Sequence, residues 1–199
     1  MMARSFSIGL MACCMALTVL FAACDTATPQ DYFGRAVLSS NLLHDFAGEG
    51  MRRQLASPSE KLTDAKTGAS APMKRAEVVA DKLASAQASL DKVKALRGND
   101  DANAMIKASL TLYEFVIPVY KNEYQELAVL YDGNDSKAAA AKIAALEKSI
   151  SEKYAAKFQD LRGALIAAGK TYAAKHNIKV REVNPSPSPS SSPPSKPGR

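Results

Sequence analysis

The sequence predicts an all-α protein: an antiparallel up-and-down four-helix bundle with a long C-terminal helix and a disordered Pro/Ser tail. Three observations carry that expectation. Apolar residues recur at alternating spacings of three and four over long stretches, as one buried face of a helix requires. No sustained run of alternating β-branched residues marks a strand, and the apolar content leans on alanine, with no tryptophan. Turn residues divide the periodic stretches into four, and the second and third connections are short, which favours antiparallel neighbours.

The first element is not part of that bundle. Arg4 supplies positive charge, Phe6 to Phe21 is an apolar run, and the small residues Ala22 and Ala23 precede Cys24. The run is short for a spanning helix of about 20 residues, and no stop-transfer charge follows it. It reads as an export signal, residues 1–23. All three cysteines lie in or at the edge of this segment, so a chain cut before Cys24 keeps one cysteine, at its first position. That chain can form no internal disulfide, although the compartment would permit one. Leu20-Phe21-Ala22-Ala23-Cys24 resembles the lipobox of bacterial lipoprotein precursors. Phe21 takes the place of the usual aliphatic residue. The rival match, Leu10-Met11-Ala12-Cys13, would leave too short an apolar run. The resemblance implies cleavage before Cys24, its lipidation with three acyl chains, and a partner in the membrane. Asp25 resembles the signal that retains proteobacterial lipoproteins in the inner membrane. One acyl chain binds a bilayer only marginally, whereas several hold a protein there.

The anchored domain is expected over residues 24–180. Thr28-Pro29-Gln30-Asp31 reads as a helix start, with a capping threonine, proline at the first position and a carboxylate at the third. A first helix is expected from Pro29 to Ala56, weakened at Gly48-Glu49-Gly50 and stopped by Pro58. Pro58 to Ser70 reads as a loop. A second helix, Ala71 to Arg97, carries Ala76, Val79, Leu83, Ala86, Leu90 and Val93 along one seam and ends at Gly98. A third runs from Asp101 to Tyr131 and should bend at Pro118. Asp132-Gly133-Asn134-Asp135 reads as a tight turn. The fourth, Ser136 to His176, would be about 60 Å long, so that it either overhangs the bundle or breaks near Gly163 or Gly169. Residues 181–199 form the tail. Its last 15 residues, Pro185 to Arg199, hold six prolines and six serines and cannot bury apolar surface.

The formal net charge of +6 becomes +5 without Arg4, the only charged residue before Cys24. Lysines of the fourth helix alternate with Glu147, Glu152 and Asp160, so a modest attraction to anionic headgroups or wall polymers is expected. Nucleic acid is not an expected partner, since no reading motif is present and export removes the usual one.

The remaining residues carry few catalytic or metal-binding patterns. Neither His44 nor His176 belongs to a Glu-x-x-His pair, and there is no His-Glu-x-x-His or Cys-x-x-Cys-His. Ser89-Leu90-Asp91-Lys92, Ser39-Ser40-Asn41 and Lys66-Thr67-Gly68 match three short motifs of penicillin-binding serine enzymes, but in the wrong order and in a helical context. Glu114, Glu123 and Glu126 read as a solvated face beside Lys107 and Lys121. Tyr113, Tyr120, Tyr124 and Tyr131, spaced 7, 4 and 7, line one helix side. They read either as the edge of the core or as an aromatic groove for a ligand or partner helix. Residues from Tyr124-Gln125-Glu126-Leu127 to Tyr131-Asp132-Gly133, with Tyr172-Ala173-Ala174-Lys175-His176-Asn177-Ile178, resemble an uncharacterised family of helical spirochaete-type surface lipoproteins. That resemblance implies no catalytic residue. The expectation is a non-catalytic binding or structural module of the cell envelope, with no cofactor, and with an envelope protein or the cell wall as partner. The rival reading is a bundle carrying haem, a metal or a small apolar molecule, with His176 and Met51 or Met105 as haem ligands, or His44 with Asp45 or Glu49 on a metal.

Overall fold

Thr28 opens the first helix as its spacing demands. Its side chain accepts a hydrogen bond from Asp31 N–H, and the Asp31 carboxylate accepts one from Thr28 N–H at 2.9 Å, with Pro29 at the first position. The structure, a computed structural model, describes residues 27–133 and 137–180. The expected signal (1–23), Cys24, the Asn134-Asp135 part of the turn and the tail (181–199) lie outside the described residues. The described part is mostly helical, with one small two-stranded sheet.

The first helix does not run to Ala56. It divides into α1 (Pro29–Ala36), a 3-10 turn (Leu38–Leu43) and α2 (Glu49–Ala56). Ser39 Oγ donates to the Arg35 carbonyl and Ser40 Oγ to the Val37 carbonyl at 2.6 Å, so serine side chains compete with the helical ladder. Ala47 then takes the left-handed conformation at φ 53°, and Gly48 starts α2 in extended backbone. The expected loop after Pro58 is a hairpin of β1 (Glu60–Asp64) and β2 (Ala69–Pro72), antiparallel, with an irregularity between Leu62 and Asp64. Gly68 turns it at φ 72°, the region glycine occupies without steric cost. Because nearly every hairpin residue is exposed, no apolar alternation announces the strands.

Helix α3 (Arg75–Lys94) buries Val79, Ala86, Leu90 and Val93 of the expected seam. The third helix is α4 (Asn103–Val119), a π-helical segment (Tyr120–Tyr124) and α5 (Gln125–Gly133). Pro118 removes one rung of the ladder, and the wider turn begins two residues later. Asp132 and Gly133 belong to α5 rather than to a turn. Helix α6 (Lys137–Lys175) runs unbroken past Gly163 and Gly169, and its 39 residues span about 58 Å. Its buried residues, among them Ile150, Phe158, Leu165 and Tyr172, all lie from residue 150 onward, while Ile143 and Leu146 of the earlier turns are partly buried against the core.

Helix α3 packs on α4 and α5, and α4 packs on α6, while α1 bridges α3 and α6. Met51, Leu55, Val79, Met105, Leu112, Phe158 and Leu165 are wholly enclosed. Each contributes about 1.5–3 kcal/mol by leaving water. The far end of α6 closes with Asn177 at φ 54° and Ile178 N–H bonded to the Ala173 carbonyl at 2.8 Å.

Candidate functional site

The break after α1 turns Phe46 into the protein, where it meets four rings. Phe158 lies 4.9 Å away, Tyr120 5.6 Å, Tyr124 6.0 Å and Phe115 6.1 Å, mostly edge to face. Tyr120 and Tyr124 come from the π segment and stack at 5.3 Å. The Ala47 N–H donates to the Tyr124 hydroxyl at 2.9 Å, which fastens the left-handed residue to α5's threshold.

A cleft of about 380 Å³ opens beside this cluster, between α2, α5 and α6. Tyr124, Leu127 and Ile150 form its apolar floor, and Glu49, Arg52, Glu147 and Lys148 its charged rim. Each rim charge is engaged within the molecule. Arg52 pairs with Glu49, Lys148 lies 3.7 Å from Glu152, and Glu147 accepts a 2.7 Å hydrogen bond from Tyr131. Burial, aided by the negative charges of Glu147 and Asp45, pushes the Tyr124 hydroxyl up to about 12. Burial and the bond to the Glu147 carboxylate push Tyr131 up to about 12 as well.

No known protein family, curated protein or solved structure matches this chain.

The four tyrosines read from the spacing do not share one surface. Tyr113 is enclosed, its hydroxyl 3.0 Å from Ser39 Oγ, and burial raises its pKa. Tyr120 is enclosed too, its hydroxyl without a hydrogen-bond partner among the described residues, and burial raises it strongly. Tyr124 edges the cleft, and half-buried Tyr131 braces the rim through Glu147. Phe46 and Ala47, which complete the aromatic cluster, sit inside the expected first helix and were not legible as site residues. Only the Gly48-Glu49-Gly50 break signal pointed near them.

The histidines are also placed. His44 Nδ1 lies 2.8 Å from the Asn41 carbonyl and Nε2 3.1 Å from Asp45, while Glu49 turns to Arg52 and Arg53. Asp45 further accepts from Gln54 at 2.6 Å, with Lys82 at 3.8 Å, beside a second cleft of about 340 Å³. His176 packs on Tyr172 at 4.4 Å, and its Nε2 lies 3.5 Å from Asp101. Met51 and Met105 are core residues, wholly enclosed. Among the described residues no cluster of three or more His, Cys, Asp or Glu side chains could hold a metal.

Proposed function

We propose that this is a bacterial envelope lipoprotein, tethered through lipidated Cys24 and acting by binding rather than by catalysis. The observation that carries the reading is the resemblance of Leu20 to Cys24 to a lipobox, with the capping Thr28 of a folded domain four residues after Cys24. No described helix is long and apolar enough to cross a membrane, so an acyl anchor would supply what the described domain does not. The α1–α2 stretch, α3, α4 with α5, and α6 are read as the four rods of an up-and-down bundle, which the pairing of α3 with α4 and of α4 with α6 supports. The cleft beside Tyr124 is the candidate binding surface, and its internally paired rim supports recognition over proton transfer.

Growth with labelled fatty acid tests the anchor. Wild-type protein should incorporate label, and Cys24→Ser should remain an unlabelled, unprocessed precursor. Mature protein without label would show ordinary signal cleavage and overturn the reading. The volume of the cleft, about 380 Å³, favours a second reading, a carrier of a small amphipathic molecule, because ligand pockets begin near 300 Å³. Native mass spectrometry of purified protein would show a co-purifying mass that Ile150→Trp abolishes.

A further inference from the structure

We propose that the second cleft, beside Asp45, binds a small zwitterion with an apolar side chain, of the class of amino acids and dipeptides. It shares no lining residue with the cleft at Tyr124, and it stands whether or not Cys24 is lipidated. Its walls come from separate parts of the chain. Leu42 belongs to the 3-10 turn, Gln54 to α2, Ser59 and Met73 flank the hairpin, and α3 supplies the rest. The base of the hairpin is fixed, since Met73 N–H donates to the Ser59 carbonyl at 2.9 Å and Lys61 pairs with Glu77 of α3. On α3, Val78 and Lys82 lie one turn apart, as do Asp81 and Ser85, so one broad face presents apolar surface and both signs of charge.

Lys82 sets this cleft apart. Every other described lysine is exposed, whereas the Lys82 side chain is 23% exposed and forms part of the cleft wall. Its ammonium lies 3.8 Å from Asp45, too far for a hydrogen bond, and makes none among the described residues. Three donors on a half-buried cation are therefore open to a ligand oxygen. Asp45 is held away from them. One of its oxygens accepts from Gln54 at 2.6 Å, and the other lies 3.1 Å from His44 Nε2. The same carboxylate rests against Gly50, where an added Cβ would overlap it. Asp45 so placed draws the ammonium to the cleft without satisfying its hydrogen bonds.

Asp81 supplies the opposite sign. Its carboxylate lines the same cleft and has neither ion pair nor hydrogen bond among the described residues. A ligand carboxylate would meet Lys82 and a ligand ammonium Asp81, while the ligand side chain covers Leu42, Met73 and Val78. A simple acid would instead face two carboxylates, Asp45 and Asp81, across one lysine, so the lining complements a zwitterion better than an anion. The volume, about 340 Å³, suits this size of ligand, since small-molecule pockets begin near 300 Å³.

Calorimetric titration of the full-length protein with leucine and with leucyl-leucine tests the site. At least one should saturate, and the tighter of the two gives the length of the ligand. Isocaproate, which keeps only the acid, and isopentylamine, which keeps only the amine, should each bind at least about tenfold more weakly, the loss expected of one charged hydrogen bond. Lys82→Met, which keeps the stem, and Asp81→Asn should each weaken the zwitterion by at least about tenfold, and Ser85→Trp should block it. Asp81 and Ser85 are exposed, so their variants test the site even where Lys82→Met disturbs the fold. Failure of both zwitterions to saturate overturns the proposal, as does equal binding of either single-charge analogue. Binding that Asp81→Asn and Ser85→Trp leave intact places the ligand elsewhere and overturns it as well.

Discussion

Ala47 holds a left-handed backbone at φ 53° that a residue with a Cβ adopts at a cost of about 1–2 kcal/mol. Two contacts keep it there. Phe46 is locked among four rings, and the Ala47 N–H is bonded to Tyr124 in a buried setting. Tyr124→Phe would leave that donor unsatisfied, so a loss of about 1–3 kcal/mol is expected in urea unfolding. The neighbouring Tyr120 offers the opposite case. Its enclosed hydroxyl has no hydrogen-bond partner among the described residues, so Tyr120→Phe removes a desolvated polar atom and breaks no bond. It should be neutral or stabilising. Two stacked tyrosines 5.3 Å apart thus differ in sign under the same substitution, and an equal loss in both variants would refute the account.

At the scale of elements, α6 carries a similar internal control. An added Cβ at Gly169 would meet Val37 Cγ2 at 2.8 Å and Cγ1 at 3.3 Å, because α1 and the chain after it lie directly on this turn. At Gly163 nothing lies within 4 Å. Gly169→Ala should therefore cost about 1–3 kcal/mol by forcing α1 outward, whereas Gly163→Ala should add up to about 1 kcal/mol from helix propensity alone. Thermal midpoints moving in the same direction would contradict this packing. The start of α3 depends on a residue far along the chain. Asp132 accepts from Arg75 N–H and Ala76 N–H, both at 3.0 Å, doing from α5 what a capping side chain does locally. Asp132→Ala should cost about 1–2 kcal/mol and should raise amide exchange selectively in the first turn of α3.

At the scale of the whole molecule, what the sequence revealed follows the range of the interaction involved. Helices α3 and α6 were legible because a seam repeating every three and four residues states both the element and its buried face. The Thr28 cap was legible because its partner is three residues away. The Asp132 cap was not, since 57 residues separate it from Arg75. Of the two readings of the tyrosine stripe, the burial of Tyr113, Tyr120 and Tyr124 agrees with core packing, with Tyr131 at its edge. Spacings of 7, 4 and 7 share a face only at 3.6 residues per turn, and the π segment at Tyr120–Tyr124 shifts that phase. The cleft was hidden because Ala47 and Gly48 reach it through a broken helix whose serine back-bonds and left-handed residue leave no periodic trace. These tyrosines also give the molecule a collective property. Tyr124 and Tyr131 are pushed up to about 12, and burial raises Tyr113 and Tyr120 as well, against an ordinary value of 10.0. Below pH 10 both folded and unfolded chains keep these protons, so the tyrosines impose no pH dependence. Above it the unfolded chain loses them while the folded one still holds them, so unfolding is favoured as pH rises from about 10 to about 12. For well-buried Tyr124 the fall is about 1.4 kcal/mol per pH unit within that window. The decisive comparison is with Tyr124→Phe, whose stability should fall less steeply than wild type between pH 10 and 11.5. Parallel curves for the two proteins would show that Tyr124 titrates alike in both states, and that the aromatic cluster beside the cleft is open to water.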